Sequence, residues 1–180
     1  MDNPLRSISS KIVYQNPWIK VREDLIVRSD GSEGIYGVME SKDSVMVVVL
    51  NDKDDVYMIQ TFSYPVLEWS WELPGGGGEG ELAEAASKRE LAEETGIVAE
   101  SWTYLGRTRV CNGLMTERMS VYLARDLSIG EKLESDDADV ISKGRFISLG
   151  QIDTMIENGD IDDGQTITAL YQLRRWLAKK

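Results

Sequence analysis

The sequence has no histidine and one cysteine, Cys111. Without histidine, Ser-His-Asp and Cys-His nucleophilic catalysis are excluded, together with the common zinc-site types. One cysteine cannot form an internal disulfide, so a reducing cytoplasm is the expected compartment. Positive charge is also scarce. Lys and Arg number 20 against 31 Asp and Glu, a formal net charge of −11. That balance repels nucleic acid and argues against polyanion binding through a basic surface. No apolar run approaches the roughly 18 residues that span a bilayer. The longest, Val45-Met46-Val47-Val48-Val49-Leu50, reads as a buried strand. The start, Met1-Asp2-Asn3-Pro4-Leu5, lacks the basic-then-apolar pattern of a secretory signal. Neither nucleic acid nor membrane is an expected partner. Catalysis, if present, must rest on carboxylates, Lys, Arg, Tyr, backbone groups or a bound metal.

What is present is the composition of a soluble folded chain, with 180 residues, 42% hydrophobic and 28% charged, enough for one well-cored domain. Strand signals open it at Ile12-Val13-Tyr14, Trp18-Ile19-Lys20-Val21 and Leu25-Ile26-Val27, with turn residues at Asn16-Pro17 and Asp30-Gly31. A hairpin is expected from Ser44–Leu50 and Val56–Thr61 about the polar turn Asn51-Asp52-Lys53-Asp54. An aromatic-rich connection, Tyr64 to Trp71, leads into Glu72-Leu73-Pro74 and the glycine loop Gly75 to Gly78. From Glu81 to Thr95 the residues are strong helix formers, and Gly96 supplies a stop. Further strands are expected at Trp102–Val110, Met119–Ala124 and Arg145–Ile147, with an acidic loop, Gly130–Asp139, between the last two. Ser148 can cap a short helix ending at Asn158-Gly159. A final helix from Gln165 to Ala178 would place Ile167, Leu170, Tyr171, Trp176 and Leu177 mostly on one face. The order of elements suggests a single mixed α/β sandwich.

The residues that carry chemistry lie between these strands. At about 100° per residue, Glu90 and Glu94 stand one turn apart on nearly the same line of a helix, with Glu93 beside them. Such carboxylates repel one another by a few tenths of a kcal/mol per pair. A hard divalent cation resolves that repulsion and keeps coordination positions open for phosphate. Arg89, four residues before Glu93, can pair with it, and the glycine loop lets backbone approach metal and phosphate closely. A solvated helix face would explain three glutamates alone. It does not explain the whole spacing: Gly75, five residues, Glu81, seven residues, then Arg89-Glu90-Leu91-Ala92-Glu93-Glu94-Thr95-Gly96-Ile97.

That pattern resembles the Nudix box at every fixed position. The resemblance implies an α/β/α sandwich with a mixed central sheet and an N-terminal antiparallel strand extension. It covers 1–180 as one Nudix domain, with 1–42 the extension and 43–180 the core. It implies Mg²⁺ or Mn²⁺ as cofactor and Glu90, Glu93 and Glu94 as metal ligands, with a backbone carbonyl at Gly75 or Pro74 reaching the metal. Arg89 then orients a glutamate and Glu81 supports the site. Trp71-Glu72-Leu73-Pro74 and Gly159-Asp160-Ile161-Asp162-Asp163 extend the resemblance to ADP-ribose pyrophosphatases. The expected activity is metal-dependent hydrolysis of a nucleoside diphosphate derivative, ADP-ribose or an ADP-sugar first. A dinucleoside polyphosphate, a modified triphosphate or a non-catalytic nucleotide sensor are the alternatives.

Three positions depart from those relatives. The loop between Pro74 and Glu81 is one residue short. Thr61-Phe62-Ser63 stands where Gln-Tyr-Arg is usual, and Cys111-Asn112-Gly113 where a proline often follows the box. The general base in such enzymes often comes from an acidic loop, which makes Glu134, Asp136 and Asp137 candidates here, with Glu117 a further one. Trp18, Tyr64, Trp69 and Trp71 are candidate base-stacking partners. Arg107 and Arg109 alternate on one strand face and could meet phosphate. The strand-rich N-terminus resembles a segment through which related enzymes dimerise, so a homodimer acting on a small nucleotide is expected.

Overall fold

Turn chemistry shapes the first forty residues. The Asn16 side chain accepts from the amides of Trp18 (2.9 Å) and Ile19 (2.7 Å), and Gly31, at φ +84°, closes a second reversal. Between these turns run β1 (Leu5–Gln15), β2 (Lys20–Arg28) and β3 (Glu33–Glu40), paired antiparallel in that order. The computed structural model describes residues 4–78, 80–130 and 140–179. Residues Met1–Asp43 group with Arg109–Arg118 as one compact unit, and Ser44–Thr108 with Met119–Lys180 as a second.

In the first unit, the two short strands expected at Trp18–Val21 and Leu25–Val27 are one continuous strand. Polar residues inside its pairing hide the periodicity. Asp24 is buried and bonded to Ser10 and Arg22, while Glu40 on β3 pairs with Lys20 and Arg22. The 109–118 segment joins β3 through Met39 N–H to the Leu114 carbonyl (2.9 Å) and Thr116 N–H to the Met39 carbonyl (3.1 Å). The Tyr36 hydroxyl adds a bond to the Gly113 carbonyl at 3.1 Å.

The second unit holds a four-stranded sheet, β7 (Gly75–Gly77), β4 (Ser44–Val49), β9 (Arg118–Ile129) and β8 (Ile97–Arg109), in that spatial order. It is mixed: β4 runs parallel to β9 and antiparallel to β7. A three-stranded antiparallel sheet has β10 (Val140–Ile147), β5 (Val56–Ser63) and β6 (Glu68–Glu72), with β5 central. The helices are α1 (Ala83–Thr95), α2 (Leu149–Asn158) and α3 (Gly164–Leu177). Val45 to Leu50 is buried throughout, as a strand covered on both faces must be. Val47 and Val49 meet Leu91 of α1, with Ile97 and Ala124, in one core cluster, and α3 also packs against β4. The architecture is the expected α/β sandwich with a mixed sheet. No described helix is long and apolar enough to cross a membrane.

Three local expectations are corrected. The chain from β4 to β5 does not make a hairpin. The strands enter different sheets and share only the Leu50–Val56 bridge. Both strands are apolar on two faces, so each needs partners that the other cannot supply, and Asp54 at φ 59° turns the corner. The glycine run is a short edge strand, β7, rather than a loop. On α3 the buried residues are Thr166, Ala169, Leu170 and Leu173, whereas Tyr171 is exposed. The helix turns its small and polar Thr166 inward because that residue has a backbone partner there.

The Asp24 cluster fixes a pH response. The Ser10 hydroxyl, and then Arg22, holds the Asp24 carboxyl below its ordinary range, against the opposing effect of burial. Lys20 and then Arg22 do the same for Glu40. Depressed carboxyls contribute stability that is complete above their unfolded values, near pH 4, and is lost as pH falls through their folded values. Thermal melts between pH 7 and pH 2 should therefore show wild type losing stability below about pH 4. Asp24→Asn should flatten that acid limb, and an unchanged limb would refute the assignment.

Candidate active site

The helix that carries the candidate residues is held at both ends by backbone. Its first turn is entered through a Glu81 N–H bond to the Gly78 carbonyl (2.7 Å), and Leu82 at the N-cap supplies no side-chain bond. At the far end Gly96, at φ 69°, donates to the Ala92 carbonyl, while Thr95 bonds back to the Leu91 carbonyl at 2.6 Å. Leu91 and Ala86 face the core, which leaves Arg89, Glu93 and Glu94 on the flank beside β7.

Arg89 binds four groups from this flank. Its Nε donates to Glu81 Oε1 at 3.0 Å and its Nη1 to Glu93 Oε2 at 2.9 Å. Nη2 donates to the Gly77 carbonyl at 2.9 Å and lies 3.0 Å from Glu90 Oε1. Burial alone would weaken the guanidinium charge, but the Glu81 bond, the field of Glu90 and the Glu93 bond outweigh it and raise its pKa. The magnitudes decide the arrangement. Carboxylate repulsion on the helix costs tenths of a kcal/mol per pair, whereas charge-assisted hydrogen bonds are worth about 1.5–3 kcal/mol each. The arginine therefore orders the glutamates.

The glycines beside them leave no room for side chains. An added Cβ at Gly76 would lie 2.7 Å from all three carboxyl atoms of Glu90, which is only 3% exposed. At Gly75 it would meet the Val45 carbonyl oxygen at 2.3 Å. The Gly75 amide donates to Glu94 Oε2 at 2.9 Å, and the Pro74 carbonyl accepts from Val47 N–H at 2.8 Å. Among the described residues no three carboxylate or thiol side chains converge as a ready cage. Arg89 engages Glu90 and Glu93, and the Gly75 amide engages Glu94.

The structure thus brings Gly75, Glu81, Arg89, Glu90, Glu93 and Glu94 together. Glu134, Asp136 and Asp137 lie outside the described residues. Arg107 and Arg109 are exposed on β8, and Glu117 belongs to the first unit. Of the aromatic candidates, Trp18 is 79% exposed, and Tyr64 and Trp69 are also exposed. Trp71 is 8% exposed, with Lys143 (5.5 Å) and Arg145 (5.0 Å) over its ring, so its face serves packing. Sequence reasoning missed Gly76, whose contact with Glu90 has no signal beyond the glycine run. It also missed Thr166, whose hydroxyl accepts the buried Leu73 amide at 3.2 Å.

An arginine-ordered glutamate helix facing a glycine edge strand, within this sandwich, defines a hydrolase of the kind that opens phosphoanhydrides. The chain belongs to the Nudix family: residues 40–170 match the NUDIX domain. Residues 6–39 match the nucleoside diphosphate sugar hydrolase N-terminal domain. Its relatives include the ADP compounds hydrolase NudE of Escherichia coli, 29% identical over 83% of this chain and 80% of that protein. The ADP-ribose pyrophosphatase of Bacillus subtilis is 24% identical over 94% of this chain and 92% of that protein. A crystal structure of an ADP compounds hydrolase superposes with a TM-score of 0.86, covering 98% of this chain and 96% of that one at 23% identity. The fold is shared. The enzyme is a Nudix hydrolase.

The two glycines make a paired test. Gly76→Ala pushes against a movable carboxylate, so it should lower kcat while leaving the melting temperature within a few degrees. Gly75→Ala pushes against backbone and should cost about 1–3 kcal/mol in denaturant titrations. Equal stability losses, or full activity for Gly76→Ala, would contradict the packing described.

Proposed function

We propose that this chain is a Mg²⁺-dependent hydrolase, able to use Mn²⁺, that cleaves the pyrophosphate of ADP-ribose or an ADP-sugar. The observation that carries the reaction is the set of Glu90 and Glu93, ordered by Arg89, with Glu94 bonded to the amide of the Gly75 strand. The substrate class is supported by the names of the relatives and by the N-terminal match over residues 6–39.

The donor set fits a small hard cation. Every available donor is an oxygen, and Glu90 sits in a cradle that a Cβ at Gly76 would fill. Glu90, Glu93 and Glu94 are the proposed ligands, with the Gly75 carbonyl. Pro74 is disfavoured because its carbonyl is already bonded to Val47. Gly75 faces Met46 in the ladder but sends its amide to Glu94, and in a non-hydrogen-bonded pair the carbonyl leaves on the same side as the amide. When bound, the cation neutralises charge on the diphosphate and lowers the pKa of a coordinated water.

The chain's own groups do the rest. Arg89 keeps Glu93 and Glu90 in register, and Glu81 holds Arg89 from the other side. One of Glu134, Asp136 or Asp137 takes the proton of the attacking water as general base.

Incubation of the full chain with Mg²⁺ and ADP-ribose should give AMP and ribose 5-phosphate, and EDTA should stop the reaction. Glu94→Gln should lower kcat/KM at least about tenfold, the scale of a damaged metal site. Turnover of triphosphates or dinucleoside polyphosphates alone would overturn the substrate reading. Full activity of Glu94→Gln would overturn the ligand set.

A homodimer is part of the same proposal. All eleven residues of β1 are exposed, including Leu5, Ile8, Ile12, Val13 and Tyr14, and Ile35 of β3 is exposed as well. Apolar surface on that scale favours cover by a second copy. Sedimentation should give a dimer for wild type, and Ile12→Lys with Ile35→Lys should shift it towards monomer. A monomeric wild type would refute it.

A further inference from the structure

The residues that lead into the glycine strand are fixed one at a time by different elements. Trp71 N–H donates to the Asp160 carbonyl at 3.1 Å, and Ser70 Oγ to Asp162 Oδ1 at 3.3 Å. Leu73 N–H donates to Thr166 Oγ1 at 3.2 Å, Pro74 accepts from Val47, and Gly75 donates to Glu94. The connection from α2 to α3 and the first turn of α3 therefore hold β6 and its exit at three residues, Ser70, Trp71 and Leu73. Thr166 is completely buried, with its own N–H bonded to the N-cap side chain Asp163 at 2.7 Å.

Resting on the cation-binding reading above, we propose that Thr166 is a positioning residue for the cation-binding edge of the glycine strand. It acts through Leu73 and does not touch the cation. Leu73 is buried, so its amide has no solvent to turn to when the Thr166 hydroxyl is removed. The backbone must then move to find an acceptor. Only Pro74 separates Leu73 from Gly75, and the peptide planes between them are stiff. A rotation at Leu73 therefore re-aims the Gly75 amide, which donates to Glu94, and with it the Gly75 carbonyl. Asp163 supports the arrangement by capping the turn of α3 from which Thr166 projects.

The test is Mn²⁺ binding to the full chain, read from the electron paramagnetic resonance signal of the free ion. Thr166→Val keeps the shape and removes the acceptor, and it should weaken Mn²⁺ by about tenfold or more. Thr166→Ser restores the acceptor and should return the affinity to within about threefold of wild type. Leu173→Ala, elsewhere in the α3 core, serves as the stability comparator and should bind Mn²⁺ as wild type does. Wild-type affinity in Thr166→Val, or an equal loss in Leu173→Ala, would overturn the proposal. If Thr166→Val does not fold, Asp163→Ala should show a smaller loss in the same direction, and no loss there would also overturn it. Glu94→Gln separates the two readings. If it leaves Mn²⁺ affinity unchanged, the ligand set falls. Thr166 is then judged on the Gly75 amide, whose exchange Thr166→Val must accelerate and Leu173→Ala must leave alone.

Discussion

Arg89 contacts Glu81, Glu90, Glu93 and the Gly77 carbonyl with one guanidinium, and the order of the site depends on that fork. A lysine could supply the charge but not the planar set of donors. Glu90 shows why this matters. A carboxylate buried to that depth is costly unless paired, and its nearest positive group is Arg89 on the adjoining residue. The arginine thus makes the close approach of the helix to the glycine strand tolerable. That approach is what allows backbone and carboxylates to share one small region.

The glycine strand is the complementary constraint. Its edge position leaves one side for β4 and the other for Glu94. The absence of side chains at Gly75 and Gly76 sets the spacing between sheet and helix. Pairing with β4 takes up Gly75, Gly76 and Gly77 directly. The missing arginine near Thr61-Phe62-Ser63 falls at the end of β5, where Phe62 packs on Trp69 at 5.5 Å across the hairpin.

Legibility in the sequence varied with the range of the interaction. The box helix was readable because helical period, the Gly96 stop and the Arg89–Glu93 spacing are all local. The Ser148 cap and the Asn16 and Gly31 turns were readable for the same reason. The separation of β4 and β5 into two sheets has no local signal. Adjacent apolar strands separated by a polar turn look alike whether they pair with each other or enter two sheets. The continuity of β2 is hidden in the same way, because Asp24, polar in sequence, is satisfied inside by Ser10 and Arg22.

The sequence by itself determined the chemistry: oxygen donors only, three glutamates on one helical stripe, and an arginine within reach of them. These follow from composition and from spacing along a single element. Tertiary structure decided which groups those residues meet. Gly76 lies against Glu90, the Pro74 carbonyl goes to Val47, and Thr166 reaches Leu73 across 93 residues of chain. Such contacts are set by how sheets and helices stack, and stacking depends on side chains far apart in the chain.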